Sequence, residues 1–137
     1  MASQKRKKSL TRNHRVEIEF LEAVRRRCPG KLDVLHALGD LYTRVGKYQE
    51  GLRVDEQLVS RCPSDPFVWY NLACSYALVG DRERAMGALK KAVDLGYDDF
   101  EWAQEDGDLD SLRKDPEFTS LLERMKLIQA KRESGHD

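Results

Sequence analysis

A chain of 137 residues, 40% apolar and 35% charged, is long enough for one domain with a modest core. Its 24 basic and 24 acidic side chains cancel, and no run approaches the roughly 20 apolar residues that a membrane span needs. The basic N-terminus is not followed by an apolar stretch, which argues against a secretory signal and makes the cytoplasm the expected compartment.

Residues 1–12 are polar and basic, without apolar periodicity, and are expected to form a flexible tail. A single helical domain is expected over residues 13–130, with fraying over 131–137. The first helix shows Val16, Phe20, Leu21 and Val24 on one face and should stop at Cys28-Pro29-Gly30, because proline cannot continue a helix. Leu35, Leu38, Leu41, Tyr42 and Val45 mark the next helix, and Gly46 permits a sharp turn. Tyr48, Leu52, Leu58 and Val59 mark a third, ended by Pro63. Asp65-Pro66 is a good helix start, an acceptor at the cap followed by a residue with no donor to satisfy. Trp69, Leu72, Ala73, Tyr76 and Val79 follow, then a turn at Gly80-Asp81, then Ala85, Met86, Leu89, Ala92 and Val93. Beyond Asp99, a polar stretch follows Phe100-Glu101-Trp102. Asp115-Pro116 then opens a last helix with Phe118, Leu121, Leu122 and Met125 on its apolar face.

The pattern is periodic. Leu35-x2-Leu38-Gly39-x2-Tyr42 returns 34 residues later as Trp69-x2-Leu72-Ala73-x2-Tyr76. Val45-Gly46 returns as Val79-Gly80, and Arg27-Cys28-Pro29 as Arg61-Cys62-Pro63. Small residues also recur, Gly39 with Ala73 and Gly51 with Ala85, where paired helices would approach closely. Both units resemble the tetratricopeptide repeat, a helix–turn–helix of about 34 residues with the pattern W-x2-L-G-x2-Y…A-x3-F…P. Trp69, Leu72, Ala73, Tyr76 and Ala85 carry the likeness in one unit; Leu35, Leu38, Gly39, Tyr42, Gly51 and Pro63 carry it in the other. Asp55 departs from it, standing where the pattern has a large apolar residue. The resemblance implies an all-α helical-hairpin solenoid with two full repeats, a leading half-repeat helix and a degenerate closing unit.

The sequence holds no phosphate loop, no H-E-x-x-H and no nucleophile motif around His14, His36 or His136. Cys28, Cys62 and Cys74 form no C-x-x-C pair and read as reduced thiols. The acids between Asp94 and Asp110 miss the calcium-loop pattern and read as a solvated acidic surface. No enzyme activity, cofactor or metal is expected.

In tetratricopeptide proteins the first helix of each repeat lines an inner groove. The resemblance therefore implies groove positions at Asp33, His36, Asp40, Arg44, Phe67, Tyr70, Asn71, Cys74, Glu101, Gln104 and Glu105. Trp69 and Tyr76 match packing positions and are expected in the core. Chaperone-binding members hold a terminal carboxylate with lysine, arginine and asparagine. The matching sites here are His36, Asp40, Asn71, Glu101 and Glu105. Only Asn71 agrees and three are acidic, so a neutral or basic peptide is the better guest. Two alternatives stand beside this reading. Lys5, Arg6, Lys7, Lys8, Arg12 and Arg15 could contact nucleic acid or the ribosome, and the bare side of the leading helix could drive self-association.

Overall fold

Thr11 opens the first helix with a capping box: its hydroxyl accepts from the His14 amide at 3.1 Å, and its own amide donates to His14 Nδ1. This computed structural model describes residues 11–135. Helix α1 (Arg12–Arg27) is followed by α2 (Leu32–Arg44), α3 (Tyr48–Arg61), α4 (Pro66–Leu78) and α5 (Arg82–Asp94). A short α6 (Phe100–Glu105), a 3-10 helix (Gly107–Leu112) and α7 (Pro116–Ser134) complete the described residues, among which there is no strand. Asp65, Asp81, Asp99 and Asp115 each accept from an amide of the helix they precede. The hairpin turns pass through Gly46 and Gly80, at φ of 86° and 91°, where a side chain would be strained.

The first helices α2, α4 and α6 begin at residues 32, 66 and 100, and the second helices α3, α5 and α7 at 48, 82 and 116, each 34 apart. The chain is an all-α solenoid. Its closing unit keeps the repeat's timing while its first helix breaks in two. The break falls at Asp106-Gly107, where the preceding repeat has Leu72-Ala73. Asp106 leaves helical geometry (ψ 110°) and caps the 3-10 helix through the Asp108 amide at 3.1 Å. Helix α7 extends to Ser134, and Arg132 in its last turns pairs with Asp98 at 2.8 Å.

One core cluster joins α2, α3 and the start of α4 through Leu35, Leu38, Tyr42, Val54, Leu58 and Val68. The other runs from α4 and α5 to α7 through Leu72, Leu89, Val93, Leu109, Leu112 and Met125. Asp55, the departure from the pattern, is buried and accepts from the Ser75 hydroxyl. Gly39 makes room for it, since a Cβ there would lie 3.0 Å from Asp55 Oδ1. The repeat thus replaces an apolar contact by a hydrogen-bonded carboxylate crossing from α3 to α4.

Helix α1 stands where the second helix of a preceding repeat would stand. It packs on the first cluster with Ile18, Leu21 and Val24. The expected face is corrected in part: Val16 is 57% and Phe20 64% exposed, because they lie on the side where a hairpin partner would sit. Their counterparts one repeat later are Glu50 and Val54, and Val54 is buried. Gly87, in the middle of α5, is unlike Gly39 in that a Cβ added there meets nothing within 4 Å. It sacrifices roughly 1 kcal/mol of helix propensity against alanine without an internal packing reason.

Candidate protein-interaction face

The first helices present one side to solvent, and three registers show how far it stays open. Asp33, Phe67 and Glu101 are equivalent, and all are exposed. Ala37, Asn71 and Glu105, one helical turn on, are also all exposed. Between them, His36 and Gln104 are exposed but Tyr70 is only 3% accessible. In the register one turn beyond His36, Asp40 is exposed and ion-paired with Arg44, whereas Cys74 is buried.

Tyr70 and Cys74 are therefore corrections to the expected groove. Both are covered by the chain itself. Tyr97, in the connection after α5, stacks on Tyr70 with ring centroids 4.3 Å apart and planes 10° from parallel. The Tyr70 hydroxyl donates to Asp106 Oδ2 at 2.7 Å, and the Cys74 thiol donates to the same oxygen at 3.7 Å. Burial, then the neighbouring Cys74 and Asp106, push the Tyr70 phenol far above its ordinary value, and burial does the same to Tyr97. Tyr97 stands where the two earlier units carry Pro29 and Pro63, and it is absent from the expected groove. Its one local signal is position: Gly96, at φ 108°, turns the chain so that the next side chain enters the stack.

Phe67 remains 64% exposed although its ring meets Tyr97 edge-on, centroids 5.7 Å apart. Phe67, Tyr97 and Tyr70 thus form an aromatic pile with only its outer member open to a guest. Trp69 and Tyr76 lie on the other side of α4. They are half-buried rather than wholly in the core, with Trp69 Nε1 donating to the Pro63 carbonyl at 2.8 Å. They line a cleft of about 500 Å³ between α3 and α5, together with Val59, Leu72, Gly87 and Ala88.

The acidic stretch does not form the uniformly solvated surface expected. Asp106 and Asp108 are 3% and 7% accessible. Cys74, Asp106 and Asp108 bring ligand-type atoms within 4.8 Å of one another. The Asp106 oxygens already accept from Tyr70, Cys74 and the Asp108 amide, so the cluster closes on itself as an internal hydrogen-bond network. Asp94 and Asp98 are paired with Arg124 and Arg132 of α7 at 2.9 and 2.8 Å. The Arg124 hydrogen bond holds the Asp94 carboxyl below its usual range. Glu101 accepts from Gln129 at 3.3 Å, which leaves Glu105 and Gln104 as the more open members of that end of the face.

Arg12 and Arg15 are on the first turns of α1, Arg12 exposed and Arg15 likewise. The expectations on Lys5, Arg6, Lys7, Lys8 and His136 lie outside the described residues. Cys28 is exposed and Cys62 half-buried, both as free thiols. Among the described residues no helix is long and apolar enough to cross a membrane.

Comparison with known proteins agrees with this architecture. A family model described as tetratricopeptide repeat matches residues 32–73. A protein of Arabidopsis thaliana, chloroplastic by name, is 33% identical over 86 residues, covering 61% of this chain and 26% of that protein. The chain thus spans about a quarter of that relative's length. Among solved structures, MamA 41-end from Desulfovibrio magneticus RS-1 superposes with a TM-score of 0.68 at 22% identity, covering 91% of this chain and 70% of that one. The MamA RS-1 ArsTM double mutant gives a TM-score of 0.70 at 20% identity with the same coverage. At these identities the structural likeness concerns the fold.

Proposed function

We infer that this chain, which carries tetratricopeptide repeats, is a protein–protein interaction scaffold that binds a peptide or partner segment without catalysing a reaction on it. One observation carries the reading: two adjacent registers of the first helices stay exposed through both full repeats and the closing unit, with Phe67 and Asn71 at their middle. An exposed aromatic beside a side-chain amide suits a peptide. The ring supplies contact area, and the amide pairs with the backbone N–H and C=O of an extended guest. The face is bounded by Asp33 and Asp40 at one end and Glu101 and Glu105 at the other, so a neutral or basic guest is favoured over an acidic tail. The expected Tyr70 contact is not part of this reading, since its hydroxyl is spent on Asp106. A cytoplasmic setting belongs to the proposal; the word chloroplastic is part of the plant relative's name and describes that protein.

The test is capture of partners by the wild type and by a Phe67→Ala/Asn71→Ala variant, with fold checked by circular dichroism. Both side chains are exposed, so the variant should melt as the wild type does while losing capture. Equal capture by the two proteins would refute the face. Deleting residues 1–10, which spares the Thr11 cap, should leave capture intact. Loss on deletion, together with a steep fall between low and moderate salt, would favour the nucleic-acid reading instead.

A further inference from the structure

We propose that the bare side of α1 docks into the α3–α5 cleft of a second copy, so that the chain assembles head to tail. The inference rests on the scaffold reading above but concerns a different surface.

Two features of the molecule lack an internal reason, and they are complementary. The first is the outward stripe of α1, where Val16 and Phe20 are exposed. It is not a vacant seat for an ordinary repeat helix. In α3 the hairpin closes at Gly51, where a Cβ would lie 3.1 Å from Thr43 and 3.7 Å from the Gly39 carbonyl. The equivalent residue of α5 is Ala85, fully buried. In α1 that position is Glu17, and Phe20 replaces Val54 and Ala88. Two larger side chains at the point of closest approach exclude the close hairpin contact and call for a receptor with a wide, open floor.

The second feature is such a floor. The α3–α5 cleft, about 500 Å³, is walled by Val59, Trp69, Leu72, Tyr76 and Ala88, and Gly87 leaves its α5 side bare. A helix-interior glycine whose Cβ would meet nothing within 4 Å among the described residues is explained if another backbone or a large side chain comes against it. The cleft rim carries two acids, Glu56 and Glu83, and the α1 stripe begins beside two bases, Arg12 and Arg15, which gives the two surfaces one complementary pair of charged edges.

Symmetric pairing of two α1 helices is the competing arrangement, and it is electrostatically poor. Setting Val16 of one copy over Phe20 of the other centres the pair near residue 18, so Glu17 of each copy comes against Glu19 of the other. A knob on one surface and a hole on another instead give a heterologous contact, which propagates or closes into a ring.

The experiment is sedimentation velocity over a concentration series on three proteins: the wild type, a Val16→Gln/Phe20→Gln variant and a Gly87→Leu variant. Val16 and Phe20 are exposed, and a Cβ at residue 87 meets nothing within 4 Å, so all three should fold; circular dichroism checks this. The wild type should grow with concentration, and each variant alone should stay monomeric. An equimolar mixture of the two variants should give a dimer and nothing larger, because one intact knob then meets one intact hole. A wild type that remains monomeric throughout, a Gly87→Leu variant that associates as the wild type does, or a mixture that stays monomeric would each overturn the proposal. The Phe67→Ala/Asn71→Ala variant should assemble normally, so failure of the peptide-binding reading and failure of self-docking are read separately.

Discussion

The Tyr42 hydroxyl donates to Glu22, tying α2 back to α1 across 20 residues of chain. One repeat later Tyr76 donates to Glu56 at 3.1 Å, again across 20 residues. The same bond at the same register shows that α1 is held as α3 is held, as the second helix of a unit. In the closing unit the equivalent residues are Lys90 and Asp110, so the tie is made twice.

Because α1 has a described neighbour on one side only, its bond should matter locally. Tyr42→Phe should weaken the attachment of α1 by about 1 kcal/mol. Amide hydrogen exchange should then quicken in residues 12–27 while α4 and α5 keep wild-type protection. Tyr76→Phe, in the middle of the stack, should instead lower protection throughout. Identical exchange maps for the two variants would contradict the edge position of α1.

Asp55 and Gly39 form a second dependency. Ser75→Ala removes a donor from a buried carboxylate and should cost about 1–3 kcal/mol in urea denaturation. Gly39→Ala should also destabilise, although alanine is the better helix former, because its Cβ would lie 3.0 Å from Asp55 Oδ1. Combining Gly39→Ala with Asp55→Ala should cost less than the two single changes added together, since the clash is shared.

Tyr97 covers Tyr70, so Tyr97→Ala should cost about 3 kcal/mol for the lost ring and the cavity left behind. It should also open the register that the wild type closes. Nitration should reach Tyr70 in the variant and spare it in the wild type. Protection of Tyr70 in both proteins would mean that something other than Tyr97 seals that site.

Alkaline pH offers a fourth test. All five tyrosines have phenols held above the ordinary value of 10.0. Burial comes first in each case, with Glu22, Asp108, Asp106, Glu56 and Asp99 adding repulsion. A phenol raised in the folded state favours folding fully below the unfolded value, and that contribution is lost as pH climbs above 10.0 toward the folded value. Spectrophotometric titration should show no tyrosine ionising normally near pH 10, followed by ionisation together with unfolding at higher pH. A tyrosine titrating at its ordinary value in the folded protein would count against this packing.

The repeat itself is legible because its signals are local and periodic: the Asp-Pro starts, the Val-Gly turns and the spacing of 34 all act within a helix or two. The candidate face is legible only by register. Phe67 and Asn71 are exposed as their positions imply, whereas Tyr70 occupies a groove position and is nonetheless buried. What buries it, Tyr97 and Asp106, lies 27 and 36 residues further on, in segments where the repeat pattern fades. No periodic rule reports a contact of that kind. Asp106 and Asp108 escape a sequence reading for a related reason. Acids in a dense acidic run are ordinarily hydrated, and the donors that let Asp106 go inside, the Tyr70 hydroxyl and Cys74 thiol, come from another repeat.

The fracture of the last first-helix at Asp106-Gly107 gives the array a direction of growth. A duplicated unit spliced at Asp65-Pro66 would inherit a tyrosine to bond backward and a glutamate to receive the next one. A unit grafted behind Ser134 would meet Arg124 where the receiving glutamate should stand, beside a broken helix that has already lost its own tyrosine to Asp110. Engineered versions of this protein should therefore tolerate lengthening in their interior and resist it at the far end.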